Sequence, residues 1–156
     1  MELRVNISDY KVVKSPDSLI TIGLGSCIGI VVYDSDAKIM GMAHIMLPKR
    51  SDYMSSNNPL KFADTCIPMM VEEMIEKGAN RNRLKAKIAG GANMFKNVSM
   101  EHMGKKNLKE VEITLDKLNI PIEARDVGGY KGRTLIAEAD NARIYSRTVG
   151  MEKKLL

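Results

Sequence analysis

Between Ile28 and Leu47 the chain is apolar at most positions, and its clearest turn signal there is Asp34-Ser35-Asp36-Ala37. The first run, Ile28 to Tyr33, is rich in β-branched residues, as a buried strand is. The second, Ile39 to Leu47, is broken only by small residues and by His44. Two such runs joined by a turn predict a β-hairpin. A two-residue loop at Ser35-Asp36 and a four-residue loop over Asp34 to Ala37 are symmetric about the same point, so either makes Cys27 face His44. A loop of odd length shifts the register by one residue and separates the pair.

The remaining pattern predicts a single α+β domain over residues 1–156, with antiparallel sheet covered by helices. Leu3, Val5 and Ile7 alternate as in a strand, and Leu19 to Ile22 predicts another. Asn58 and Pro59 begin a helix that runs to Lys77 and stops at Gly78; Phe62, Cys66, Met70 and Met74 form its apolar stripe, and Pro68 should kink it. A strand over Leu84 to Ala89 leads into the turn Gly90 to Phe95. A second helix follows, with Leu108, Val111, Leu115 and Leu118 at helical spacing and an end at Asn119. Strands over Ile122 to Val127, Thr134 to Ala139 and Ala142 to Val149 complete the domain, and residues 151–156 read as a frayed tail.

Composition narrows the function classes. No apolar stretch approaches the roughly 20 residues of a membrane helix, and the N-terminus has no signal-peptide layout, so a cytoplasmic protein without membrane insertion is expected. In that compartment Cys27 and Cys66 remain thiols. A net charge of +5 allows an acidic partner, but only 4% of residues are aromatic and no nucleic-acid motif is present, so nucleic-acid binding is not expected. His44 and His102 lie at no metal-ligand spacing from the cysteines, and Gly23-Leu24-Gly25 completes no nucleotide fingerprint, so neither metal nor organic cofactor is expected.

Gly23-Leu24-Gly25-Ser26-Cys27 places a thiol at the start of a strand, after a turn whose backbone N–H groups, near Gly25 and Ser26, could bind an oxyanion. Taken alone, this segment reads first as a tight turn before a core cysteine. A histidine within an apolar strand needs a buried partner, and opposite a cysteine it can take the thiol proton and leave a thiolate–imidazolium pair. Thr21 and Asp126 are both candidates to orient the imidazole, and spacing does not choose between them. Cys66, on the helix stripe, reads as structural, and His102, beside Glu101, as a solvated surface residue. Asn93, Met94 and Phe95 offer an amide and two apolar side chains for a partner or substrate surface.

The segments Gly23 to Cys27, Met42 to Pro48, Phe62 to Asp64, Ala86 to Phe95 and Asp126 to Gly129 together resemble the CheD family of chemoreceptor glutamine deamidases. The resemblance implies hydrolysis of glutamine side chains to glutamate on methyl-accepting chemotaxis receptors, with Cys27 as nucleophile, His44 as base and Thr21 as orienting hydroxyl. It also implies a sandwich fold related to bacterial toxin deamidases and a regulatory partnership with the CheC phosphatase. Two other readings use the same residues: a noncatalytic regulator of a phosphatase or receptor, and a thiol redox sensor.

Overall fold

The computed structural model describes residues 1–53, 57–94 and 102–156. Ten strands and two α-helices occur among them: β1 Glu2–Arg4, β2 Asp9–Lys14, β3 Ser18–Leu24, β4 Ile28–Asp34, β5 Ile39–Ile45, α1 Ala63–Glu76, β6 Lys85–Gly90, α2 Met103–Lys117, β7 Ile122–Val127, β8 Arg133–Glu138, β9 Arg143–Thr148 and β10 Lys154–Leu155. They form two five-stranded mixed sheets, ordered β1-β3-β8-β9-β10 and β2-β5-β4-β6-β7. The pairs β1–β3 and β6–β7 are parallel and the others antiparallel. The α+β sandwich expected from the sequence is therefore present, with both helices against the second sheet.

That sheet is buried on both faces, which explains why β4 and β5 read as nearly unbroken apolar runs. Ile28, Ile30 and Val32 of β4 join Ile45, Cys66, Met70, Val111 and Leu115 in a core beneath the helices. Val31 and Tyr33 face the other way, into a core shared with Leu19, Leu24, Leu135 and Ala137 of the first sheet. A strand's period of two thus sends alternate residues into different cores.

The hairpin register differs from the sequence expectation. Asp34 pairs with Ile39 and Gly29 with His44, so facing residue numbers sum to 73, and the loop is Ser35 to Lys38. Asp34 stays in the strand because its carboxylate accepts from the Asp36 and Ala37 N–H groups, while Lys38 closes the loop in the left-handed region at φ 56°. The shift is two residues, so Cys27 and His44 are not directly opposed but keep the same face.

Two further expectations are corrected, and the placement of Pro68 within the first helix holds. Asn58 caps a separate 3-10 turn over Pro59–Lys61, because extended Phe62 bridges to Leu47 and fills the core before α1 begins. Pro68 lies inside α1 without ending it. Residues 151–156 are not simply frayed: Lys154–Leu155 pair with β9, the Leu156 N–H donates to Ile144 O at 2.9 Å, and Lys87 Nζ donates to Leu156 O at 2.7 Å. The tail satisfies a strand edge that β9 would otherwise expose. The sequence reading missed β2, a charged edge strand recognisable only through its pairing with β5.

Candidate active site

Strand alternation brings three of the singled-out residues to the core between the sheets. Cys27 lies there with Met40 and Met42, and His44 continues the inward-facing series of β5. With Gly29 directly opposite His44, Cys27 is its neighbour two residues along the same face; such diagonal positions are about 7–8 Å apart and within reach of a long side chain. Thr21 enters from β3 in the first sheet, on the same inward phase as Leu19. Exposure is 8% for Cys27, 2% for His44 and 0% for Thr21.

The hydrogen bonds fix the tautomer of the neutral imidazole. Thr21 Oγ1 lies 2.7 Å from Val5 O and 2.7 Å from His44 Nδ1. A carbonyl can only accept, so the Thr21 hydroxyl donates to Val5 and its lone pair receives the Nδ1–H of His44. The free lone pair of the neutral ring is then on Nε2, which is buried and has no hydrogen-bond partner among the described residues. The arrangement leaves a buried proton acceptor on the cysteine's face of the sheet.

Burial acts on both groups in the direction of neutrality. It pulls the His44 pKa down from 6.5 to about 4 and pushes the Cys27 thiol above its ordinary value, a rise partly opposed by the residue's own backbone N–H. This favours a thiol beside a neutral imidazole over the standing thiolate–imidazolium pair expected from the sequence.

The turn preceding β4 is tied down at three successive carbonyls. Gly25 O accepts from Ala92 N at 2.9 Å, Ser26 O from Asn107 Nδ2 at 2.9 Å, and Cys27 O from Gly91 N at 2.9 Å. A Cβ on Gly90, which sits at φ 113°, would lie 2.2 Å from Cys27 O, so only glycine permits this approach. Asn107 also donates to Met46 O at 3.1 Å, joining the cysteine turn to the end of the histidine strand.

The other candidates lie in different surroundings. The Asp126 carboxylate accepts from Ser146 Oγ at 2.7 Å and lies 3.3 Å from Arg133 Nε, whereas the hydroxyl at His44 is that of Thr21. Cys66 is fully buried on the core face of α1, where desolvation pushes its pKa up to about 12. His102 is not merely solvated: its Nδ1 caps α2 by accepting from Lys105 N at 3.2 Å. Asn93 N donates to Gly129 O; exposed Met94 packs on Gly25, and Phe95 lies outside the described residues.

Sequence reasoning missed Asn107 and the Val5 carbonyl. A signal for Asn107 existed, since it stands four residues before Val111 and seven before Thr114, a polar group in phase with the buried face of α2. Nothing local marks Val5 O as an acceptor, because that contact depends on how β1 and β3 lie together.

A family model described as CheD chemotactic sensory transduction matches residues 46–148. That span begins two residues beyond His44, and full-length relatives extend the similarity over almost the whole chain. The protein of Clostridium botulinum strain Hall named probable chemoreceptor glutamine deamidase CheD is 48% identical over 157 residues, covering 98% of this chain and 96% of that protein. The protein of the same name from Clostridium novyi is 49% identical over 154 residues, covering 96% and 94%. On both the family match and the near full-length identity, the chain belongs to the CheD family.

Proposed function

We propose that this protein hydrolyses glutamine side chains to glutamate on methyl-accepting chemotaxis receptors in the cytoplasm, using Cys27 as nucleophile and His44 as general base. The observation that carries the proposal is the Val5–Thr21–His44 hydrogen-bond chain, which leaves Nε2 as an open acceptor on the Cys27 face of the sheet. The substrate class follows the names of its relatives.

In this reaction Nε2 takes the thiol proton as Sγ bonds to the amide carbon, and the carbonyl π pair moves onto oxygen. The oxyanion is held by the Ser26 and Cys27 N–H groups, since the Gly25 N–H donates to Gly23 O at 3.1 Å. His44 then gives its proton to the departing nitrogen, which leaves as ammonia, and a thioester remains. Water deprotonated by the same Nε2 attacks the thioester, forming glutamate and restoring the thiol. Every step uses this chain's groups and water.

Met46, two residues beyond His44, and Met94, against Gly25, are exposed apolar side chains suited to a folded receptor surface. Asn93 belongs to the proposed partner surface, Phe95 is assigned to it on sequence alone, and the CheC partnership belongs to the same reading.

The test is incubation with receptor cytoplasmic fragments. A gain of about 1 Da at glutamine, with matching ammonia release, is the expected result, lost in Cys27→Ala and kept in Cys66→Ala. The opposite pattern in the two variants would assign the chemistry to Cys66. Adding purified CheC phosphatase should alter the rate; no complex and no change in rate would remove it as a partner.

A further inference from the structure

We propose that Asn107 is a positioning residue for the oxyanion site: by holding the Ser26 carbonyl, it turns the Cys27 N–H toward the reacting centre. The inference rests on the acyl-transfer reading of Cys27, but it concerns a residue of α2, remote in sequence from the turn.

The geometry begins with the peptide bond. In a trans peptide the C=O and N–H point in opposite directions, so fixing the oxygen of one residue fixes the N–H of the next. Asn107 Nδ2 holds Ser26 O, which turns the Cys27 N–H away from α2, and that N–H faces its own Sγ. The neighbouring bond from Ala92 N to Gly25 O orients the Ser26 N–H by the same rule. Among the described residues, Ser26 O is the one carbonyl of these three held by a side chain; Gly25 O and Cys27 O are held by backbone.

Two features show that the fold brings Asn107 to this place at a cost. Asn107 is fully buried, and with its amide nitrogen committed to two carbonyls, Oδ1 has no hydrogen-bond partner among the described residues. An apolar side chain would avoid the stranded Oδ1 but would take the donor away from the Ser26 and Met46 carbonyls. One turn earlier, a Cβ on Gly104 would come within 2.5 Å of Gly91 O and 2.7 Å of Ala92 O. The absence of that side chain lets α2 approach the segment that braces the cysteine turn, and Asn107 lies on the same helix face.

The test compares two reactions of Cys27 that differ in whether an oxyanion forms. Attack on a p-nitrophenyl ester passes through an oxyanion, makes a thioester and releases p-nitrophenolate. Alkylation by iodoacetamide makes a thioether and expels iodide with no oxyanion. For Asn107→Ala, and for Asn107→Asp, which keeps the shape but replaces the NH2 donor with a carboxyl oxygen, acylation should fall about 10-fold or more while alkylation stays within about threefold of wild type. Labelled peptides identified by mass spectrometry assign both reactions to Cys27. If both rates fall together in both variants, the role is general support of the turn, and if neither falls, the tether is irrelevant; either result overturns the proposal. Both rates are read without a receptor, so a wild-type protein that fails to deamidate receptors would refute the proposed substrate and still leave Asn107 decided.

Discussion

Asp34 and His44 are both polar side chains buried in the second sheet, at opposite ends of the same hairpin, yet their surroundings differ in one decisive respect. The Asp34 carboxylate accepts from five donors: the N–H groups of Asp36, Ala37 and Asn80, and Nε and Nη2 of Arg83. Its pKa falls to about 2, because these hydrogen bonds and the Arg83 charge outweigh the desolvation that raises it. His44 is anchored at one ring nitrogen, while the other has no partner among the described residues, and burial moves its pKa to about 4. A saturated buried group pins the β4–β5 loop to the segment after α1. A buried group with one open acceptor is available for chemistry, and its incomplete bonding is tolerated where reactivity is required.

The sharpest way to break this contrast is to remove each group. His44→Ala should lower receptor deamidation by about 1,000-fold or more while the protein remains folded, as judged by ammonia release and circular dichroism. Asp34→Ala should do the reverse, lowering unfolding free energy by roughly 2–4 kcal/mol in urea titration, with turnover per folded molecule near wild type. If Asp34→Ala removed turnover without loss of stability, the division between the two ends would be wrong.

The pH dependence separates them further. Between pH 6.5 and about 4 an unfolded chain protonates this histidine and the folded one does not, so stability falls as pH drops through that window, by up to about 3 kcal/mol for this group. Asp34 acts lower: its contribution is present above 3.8 and is lost as pH falls toward about 2. His44→Gln should flatten the urea-measured stability profile between pH 4 and 6.5 and leave the more acidic limb in place. An unchanged slope in that variant would show that the imidazole titrates normally in the fold.

Smaller changes refine the comparison. Thr21→Val removes the acceptor for Nδ1–H and should reduce kcat by about 10- to 100-fold, less than loss of His44, with KM little changed. Wild-type kcat in that variant would free the tautomer from Thr21. Arg83→Lys keeps a cation beside Asp34 but loses the paired contact, and should cost about 1 kcal/mol in urea with no effect on turnover. A loss of activity there would mean that the loop end of the hairpin communicates with the site.

The sequence by itself determined the hairpin, the existence of both α-helices and their ends, and the common face of Cys27 and His44. These follow from periodicity, which is local: a period of two sorts strand residues between faces, and a two-residue error in register leaves that sorting intact. The tertiary structure decided the register, through the Asp34 turn and its capture by Arg83, and it brought Thr21 across from the other sheet to His44. It also decided that Lys154–Leu155 form a strand and that Asn107 reaches the cysteine turn, 81 residues away along the chain. Those contacts join groups distant in sequence, and their energies depend on burial and hydrogen-bond partners that exist only once the two sheets and α2 have packed.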